Sequence, residues 1–343
     1  MKIAVYTIAL NEEKFVERWY ESAKDADYLL IADTGSTDKT KRIAKKLGIK
    51  VIDISVKPWR FDDARNAALA LLPDDIDYCV SMDMDETLSE GWREKLETMT
   101  SEQVSYKFNI TFKDEDETHP DDTFINNRIH KRHGFRWIYL MHEAVVPDRT
   151  EVRQEFCEGL EVSHHPDIDK SREQYNQMIE DAYNEYKNAR YHIYQCHQLL
   201  QFNRIEEARK VAKSLIKLKD VGKIDVALAY RILGLTGKFK IFYFIKSIIK
   251  YPTRETYNSL AIHYYKKEKW FLSYYFSKKT NNIIIKTNSI FRDISAWGAL
   301  PFNIMMSSKH NMKLWKWSKT YEIDKKEINV RSIISHKMKL FND

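Results

Sequence analysis

Over residues 2–80, short apolar runs alternate with polar stretches of helical spacing, and this alternation restricts the fold more than any single residue does. The run 2–10 (KIAVYTIAL) is apolar almost throughout, as expected of a strand covered on both faces. Asn11-Glu12-Glu13 then opens a helix to about Ala23, with Asn11 as its N-cap and acids in its first turn. Residues 28–32 form a second strand, and a Ser/Thr cluster launches a basic helix over 39–47 that Gly48 stops at the C′ position. A third strand covers 49–54, another helix runs from Phe61 to Pro73, and a fourth strand covers 76–80. Strands and helices alternating across short connections predict an α/β fold with a mostly parallel sheet. Its functional residues should gather at the carboxyl ends of the strands.

Nine glycines and seven prolines are too few for a loop-rich or β-sandwich chain, so helices are expected to dominate the remainder. A length of 343 residues suggests two domains, an α/β domain over 1–167 and an all-helical one over 168–343. The net charge of +6 suits an anionic substrate but falls short of a nucleic-acid signature. Cys79, Cys157 and Cys196 are far apart and odd in number, which fits reduced thiols and a cytoplasmic location. No stretch approaches a membrane span.

The fourth strand runs into Ser81-Met82-Asp83-Met84-Asp85-Glu86. Three carboxylates at a strand's carboxyl end are costly unless a divalent cation neutralises them. Mg²⁺ or Mn²⁺ held by one or two carboxylates commonly completes its shell with substrate phosphate. The plainer alternative is a solvated acidic turn capping a helix that begins near Leu88.

Four blocks, Asn11-Glu12-Glu13, Asp33-Thr34-Gly35-Ser36-Thr37-Asp38-Lys39-Thr40, Ala64-Arg65-Asn66 and Met82-Asp83-Met84-Asp85-Glu86, together resemble the ordered signature of family 2 glycosyltransferases of the GT-A fold. The resemblance implies a nucleotide-sugar donor, most often a UDP-sugar, and transfer to an acceptor nucleophile with inversion at the anomeric carbon. Carried onto this sequence, it implies that Asn11 and Asp33 line the donor site, with Asp33 contacting the uracil or ribose, and that Arg65 is a cation near the diphosphate. It makes Asp83 a member of the ribose and metal shell and Asp85 the direct metal ligand. Leu10 departs from the pattern, since many relatives carry an aromatic there beside the base. Asp33 and Asp38 also suit plain turn and cap roles, and Arg65 could pair with Asp62 or Glu86.

Residues 92–99 read as an amphipathic helix and 104–112 as a strand, followed by an acidic loop over 114–122 to which no chemistry is assigned. The basic and aromatic segment Asn127-Arg128-Ile129-His130-Lys131 to Leu140-Met141-His142-Glu143 resembles one in relatives with a helical extension. Inverting transfer to a hydroxyl needs a base, and Glu143 is the candidate; its alternative is to hold His142 or Arg136 in place. In GT-A enzymes a late histidine often completes the metal shell. The resemblance through His164-His165-Pro166-Asp167 to Lys170-Ser171-Arg172 implies that one of the two does so here. Adjacent residues of an extended segment point opposite ways, so only one can; His165 is preferred over His164.

Beyond Lys170, glycine and proline nearly vanish. Asn203-Arg204-Ile205-Glu206, Gly237-Lys238-Phe239-Lys240 and Lys269-Trp270-Phe271-Leu272 fall at equivalent turn positions, at spacings of 34 and 32 residues (203 to 237 to 269). Such a period with helix-turn-helix content predicts a tetratricopeptide-like array, although its match to that consensus is degenerate. Ser295-Ala296-Trp297-Gly298-Ala299-Leu300-Pro301 resembles a block near the end of such extensions, and residues 318–343 read as a basic capping helix and tail. The stripe Lys238 to Tyr251 (KFKIFYFIKSIIKY) is expected to be the buried inner face of a repeat helix, with a membrane-surface or base-stacking role as the alternative.

The expected activity is a metal-dependent, inverting transfer of a sugar to a saccharide, protein or other hydroxyl acceptor. The helical domain would dimerise or present the acceptor. Two further readings stay open. In one the acceptor is a modified nucleic-acid base, for which steep salt dependence of DNA binding would speak. In the other the chain is a helical-repeat adaptor with a degenerate transferase domain, for which absent donor binding would speak.

Overall fold

The structure is a computed structural model that describes residues 1–111, 122–167, 173–284 and 293–320. It divides into two compact units, Met1–Glu185 and Tyr186–Asp343. The first contains β1 (Ile3–Ala9), α1 (Val16–Ala23), β2 (Tyr28–Asp33), α2 (Thr40–Lys46), β3 (Lys50–Asp53), α3 (Phe61–Ala70), β4 (Tyr78–Ser81), β5 (Glu86–Leu88), α4 (Trp92–Glu97), β6 (Gln103–Ile110), β7 (Asp122–Lys131), β8 (Phe135–Ile138), β9 (Ala144–Pro147), β10 (Gln154–His164) and α5 (Glu173–Tyr186).

Among the described residues the main sheet has eight strands in the order β3-β2-β1-β4-β7-β6-β10-β5, and β8 and β9 form a separate hairpin. Strands β3, β2, β1 and β4 are mutually parallel, β7 runs against both β4 and β6, and β10 pairs parallel to β6. The predicted α/β class with a mostly parallel sheet is therefore the observed one. The apolar run of β1 explains its central place. Ile3 and Val5 pack in the core that also takes Val16 and Trp19 of α1 and Trp92 and Leu96 of α4. Ala4 and Tyr6 point the other way, into the core built with Ala68 and Leu69 of α3 and Phe135 and Trp137 of β8.

Three local expectations change. Residues 11–13 do not open a helix: α1 starts at Val16, and Asn11 adopts a left-handed φ of 56°. Its side chain is engaged elsewhere, with the loop after β2. No helix begins near Leu88, because Glu86–Leu88 pairs antiparallel with β10 and the helix starts only at Trp92. The division between units falls at Glu185 and not at residue 167. Phe61 packs edge-on against Tyr175 at 5.9 Å, and Arg60 bonds Glu185 at 2.9 Å, which ties α5 to the start of α3. The acidic run from residue 114 to 121, Lys170-Ser171-Arg172 and the tail beyond residue 320 lie outside the described residues.

The second unit contains α6 (Ala189–Gln201), α7 (Ile205–Leu215), α8 (Lys223–Thr236), α9 (Lys240–Lys250), α10 (Arg254–Lys266), α11 (Trp270–Asn282), α12 (Ile294–Trp297) and α13 (Leu300–Thr320). The three turn blocks open α7, α9 and α11, making three successive helical hairpins. The residues before these helices, Arg204, Phe239 and Lys269, share nearly one backbone conformation (φ −82°, −92° and −86°; ψ 61°, 52° and 68°). Within the hairpins, small side chains cross-link the helices. Cys196 bonds the Ala208 carbonyl, Ser247 donates to that of Ala227 at 2.7 Å, and Ser273 to that of Ala261 at 3.1 Å. At Gly234 the approach is so close that a Cβ would lie 2.6 Å from the Phe244 ring.

Candidate functional site

The acidic turn after β4 takes its shape from its methionines. Met82 and Met84 are buried in the core, so the alternating Asp83 and Asp85 are turned away from it. Asp83 lies between two guanidinium groups. Its Oδ1 accepts from Arg65 at 2.6 Å and its Oδ2 from Arg128 at 2.9 Å. Arg65, almost wholly buried on α3, also donates from Nε to Glu143 at 2.5 Å and to the Ser81 hydroxyl at 3.2 Å, and it lies over the Trp137 ring at 4.8 Å. Asn66 fixes that ring's strand by exchanging hydrogen bonds with the Trp137 backbone.

Electrostatics follow from this packing. Burial works against the charged form of Asp83, but Arg65 and Arg128 overcome it and hold its carboxyl far below the usual range. Glu143 is likewise penalised by burial and is nevertheless lowered by Arg65 and Arg128. Glu86 goes the other way. Its burial, and then the charge of Asp83, push it up against the pull of Arg128. Glu86 shares Arg128 with Asp83, its Oε1 accepting from that guanidinium at 3.3 Å, and the shared contact does not offset its burial.

Asp85 and His164 form a separate pair, with His164 Nε2 3.1 Å from Asp85 Oδ2. Burial lowers the His164 pKa, but the Asp85 carboxylate reverses this and the net shift is upward. The two histidines, of which His165 was expected at the metal, are placed differently. β10 pairs His164 opposite Glu86, beside the acidic turn, whereas the His165 ring meets the Thr87 hydroxyl at 3.3 Å and its backbone N–H donates to the Asp85 carbonyl. Asp83, expected in the metal shell, has both oxygens committed to arginines. Among the described residues no three carboxylate, imidazole or thiol groups converge as a metal set.

Asp33 ends β2 and is fully buried. Its Oδ1 accepts from the backbone N–H groups of Gly35 (3.0 Å) and Ser36 (2.7 Å), while Oδ2 is buried without a hydrogen-bond partner among the described residues. The turn role and a vacant acceptor thus coexist in one side chain. Asn11 clasps the same loop, its Oδ1 accepting from Thr37 N–H at 2.8 Å and from Asp38 N–H at 3.3 Å. Asp38 accepts from Glu13 N–H and from both Thr40 donors, a local turn and cap arrangement. The loop geometry therefore depends on Asn11, and Asn11 is not an N-cap.

Residues 4–155 match the family model described as glycosyl transferase family 2. The matched segment holds Asn11, Asp33, Arg65, Asp83, Asp85, Arg128 and Glu143, and His164 and His165 lie just beyond it. The chain is 31% identical over 126 residues to an uncharacterised glycosyltransferase of Rickettsia bellii, covering 35% of this chain and 41% of that protein. It is 36% identical over 98 residues to one of Rickettsia typhi, covering 28% and 32%. The chain thus matches less than half the length of either relative. Similar solved structures include glucosyl-3-phosphoglycerate synthase of Mycobacterium tuberculosis in complex with Mn²⁺, UDP and glucosyl-3-phosphoglycerate (26% identity, 31% and 44% coverage, TM-score 0.27). Another is S. aureus TarS 1–349 in complex with UDP-GlcNAc (11% identity, 85% and 95% coverage, TM-score 0.37).

Within the matched segment, the sequence assigns no role to Arg128 or Trp137, and it counts Glu86 only among the three carboxylates of the acidic turn or as a partner for Arg65. Arg128 was visible only as part of a basic stretch. Nothing local links it to an aspartate 45 residues away; the β4–β7 pairing does so.

Proposed function

We propose that this chain is a metal-dependent, inverting glycosyltransferase that moves a sugar from a UDP-sugar to a hydroxyl acceptor. The observation that carries the reading is the pairing of Asp85 with His164 beside the arginine-clamped Asp83, at the carboxyl end of β4. A carboxylate oxygen and an imidazole nitrogen fit Mn²⁺ or Mg²⁺, and the remaining shell would come from the donor diphosphate and water. When bound, the metal supplies positive charge against the leaving diphosphate. Asp33, with an acceptor oxygen left unpartnered at the end of β2, is the candidate nucleoside contact once the loop held by Asn11 opens to it. Arg65, whose nitrogens are all directed at protein groups, acts by fixing Asp83 and Glu143. Glu143, ionised at neutral pH, accepts the acceptor's proton. The helical hairpins, read as tetratricopeptide-like, hold the acceptor or a second protomer.

The test is binding and transfer across a nucleotide-sugar panel with Mn²⁺, Mg²⁺ or chelator. Asp85→Ala should lower transfer by at least about a hundredfold with the fold intact. His164→Ala should lower it in the same direction, and His165→Ala should leave it near wild type. Full transfer by Asp85→Ala, or by wild type in chelator, overturns the metal assignment.

A further inference from the structure

Helix α9 presents its apolar stripe outward. Phe244 and Ser247 pack against the unit, while Phe242 and Ile249 lie on the opposite side and Ile241 and Ile245, on the flank between, are also exposed. Phe242 is 54% exposed, Ile249 74%, and Phe239, just before the helix, 72%. The sequence expectation that this stripe faces inward is therefore corrected: Phe244 and Ser247 seat the helix, with Tyr243 stacked on Tyr230 of α8 at 6.4 Å, and most of the stripe is left outside. The stripe is bordered by lysines. Lys246 stacks on Phe242 at 4.7 Å, and Lys238, Lys240 and Lys250 are also exposed. No Asp or Glu occurs from residue 226 to 254.

Alongside the start of α9 lies a groove of about 520 Å³, lined in part by Lys238, Lys240, Lys266 and Lys267, with no carboxylate in its wall. His263 also lines it, and its Nε2 has no hydrogen-bond partner among the described residues. We propose that this face docks on an anionic lipid bilayer. The Phe and Ile side chains enter the boundary between headgroups and acyl chains, and the lysines meet lipid phosphates there and in the groove. Charge selects this occupant. A second copy packed symmetrically on the face would set lysines against lysines. A nucleic acid could stack on Phe239 and Phe242 but would leave Ile241, Ile245 and Ile249 in water, whereas acyl chains accommodate all five. No described helix is long and apolar enough to cross a membrane, so the contact proposed is peripheral.

The test is flotation of the full chain with vesicles of phosphatidylcholine, alone or mixed equally with phosphatidylglycerol. Partitioning should be at least about tenfold stronger on the mixed vesicles and should weaken with salt. F242S/I249S should lose about tenfold or more on the mixed vesicles with an unchanged thermal midpoint, because both side chains are exposed. K246Q/K250Q should lose about thirtyfold on the mixed vesicles. Absence of partitioning, equal partitioning on both vesicles, or wild-type behaviour of F242S/I249S overturns the proposal. So does a dimer that F242S/I249S converts to monomer without any vesicle binding, or an oligonucleotide that binds where vesicles do not. Asp85→Ala should bind vesicles as wild type does, so this outcome is separate from that of the transferase reading.

Discussion

Acidification from pH 7 to pH 4 should destabilise the N-terminal unit through His130. This ring is fully buried. Its Nδ1 donates to the Lys131 carbonyl at 2.8 Å, which leaves Nε2 as an acceptor facing the Tyr6 hydroxyl at 3.4 Å. Tyr6 in turn accepts from Trp137 Nε1 at 2.8 Å, so the chain of donors fits a neutral imidazole. Burial first, then the nearby Arg132 charge, lower the His130 pKa from 6.5 to about 4, against the carbonyl bond that raises it. Between these values the unfolded chain binds one proton more than the folded one. The stability contribution is therefore complete above pH 6.5 and is lost as the pH falls to about 4. A difference of that size corresponds to about 3 kcal/mol, a sizeable part of a domain's stability. For a unit of this length it should appear as a fall of roughly 6–12 °C in Tm. His130→Gln cannot take up the proton, so urea unfolding across pH 4–7 should show a slope smaller by one proton in the variant. Equal slopes in the two proteins, or an NMR titration of His130 near 6.5, would refute the reasoning.

Asp83→Asn should cost roughly 1.5–3 kcal/mol in urea unfolding, because it weakens charge-assisted bonds to the buried Arg65 and the half-buried Arg128, which keep only Glu143 and Glu86; a cost below about 1 kcal/mol would show that the clamp is not structural. Glu143→Gln should lower kcat by on the order of a hundredfold or more while donor affinity holds. Near-normal transfer with reduced stability would instead leave Glu143 as the anchor of Arg65. Gly234→Ala should cost about 1–3 kcal/mol, because the added Cβ meets the Phe244 ring. Adding Phe244→Ala should then cost less than it does alone, and strict additivity in thermal unfolding would argue against that contact.

Local periodicity and turn chemistry made much of this chain readable. The apolar run of β1, Gly48 behind α2 and the methionine-aspartate alternation after β4 each act within a few residues. Chain order then dictated where the acidic turn would lie. The three hairpin turns were legible for the same reason, since each is a short segment repeated at nearly constant spacing.

What the sequence could not decide concerns partners far apart in the chain. The spacing allowed only one of His164 and His165 to face the acidic turn, but the β5–β10 register chose His164. The sequence marks Arg65 as a cation beside the donor or a partner for Asp62 or Glu86, and the fold buries it between Asp83 and Glu143, 18 and 78 residues away. The stripe on α9 was plain from its spacing, yet spacing gives a helix an apolar side without saying which way that side faces. That was settled by the fit of Phe244 and Ser247 against α8, a matter of side-chain volume at one crossing. Pairing and packing are non-local, and so only the tertiary structure could supply them.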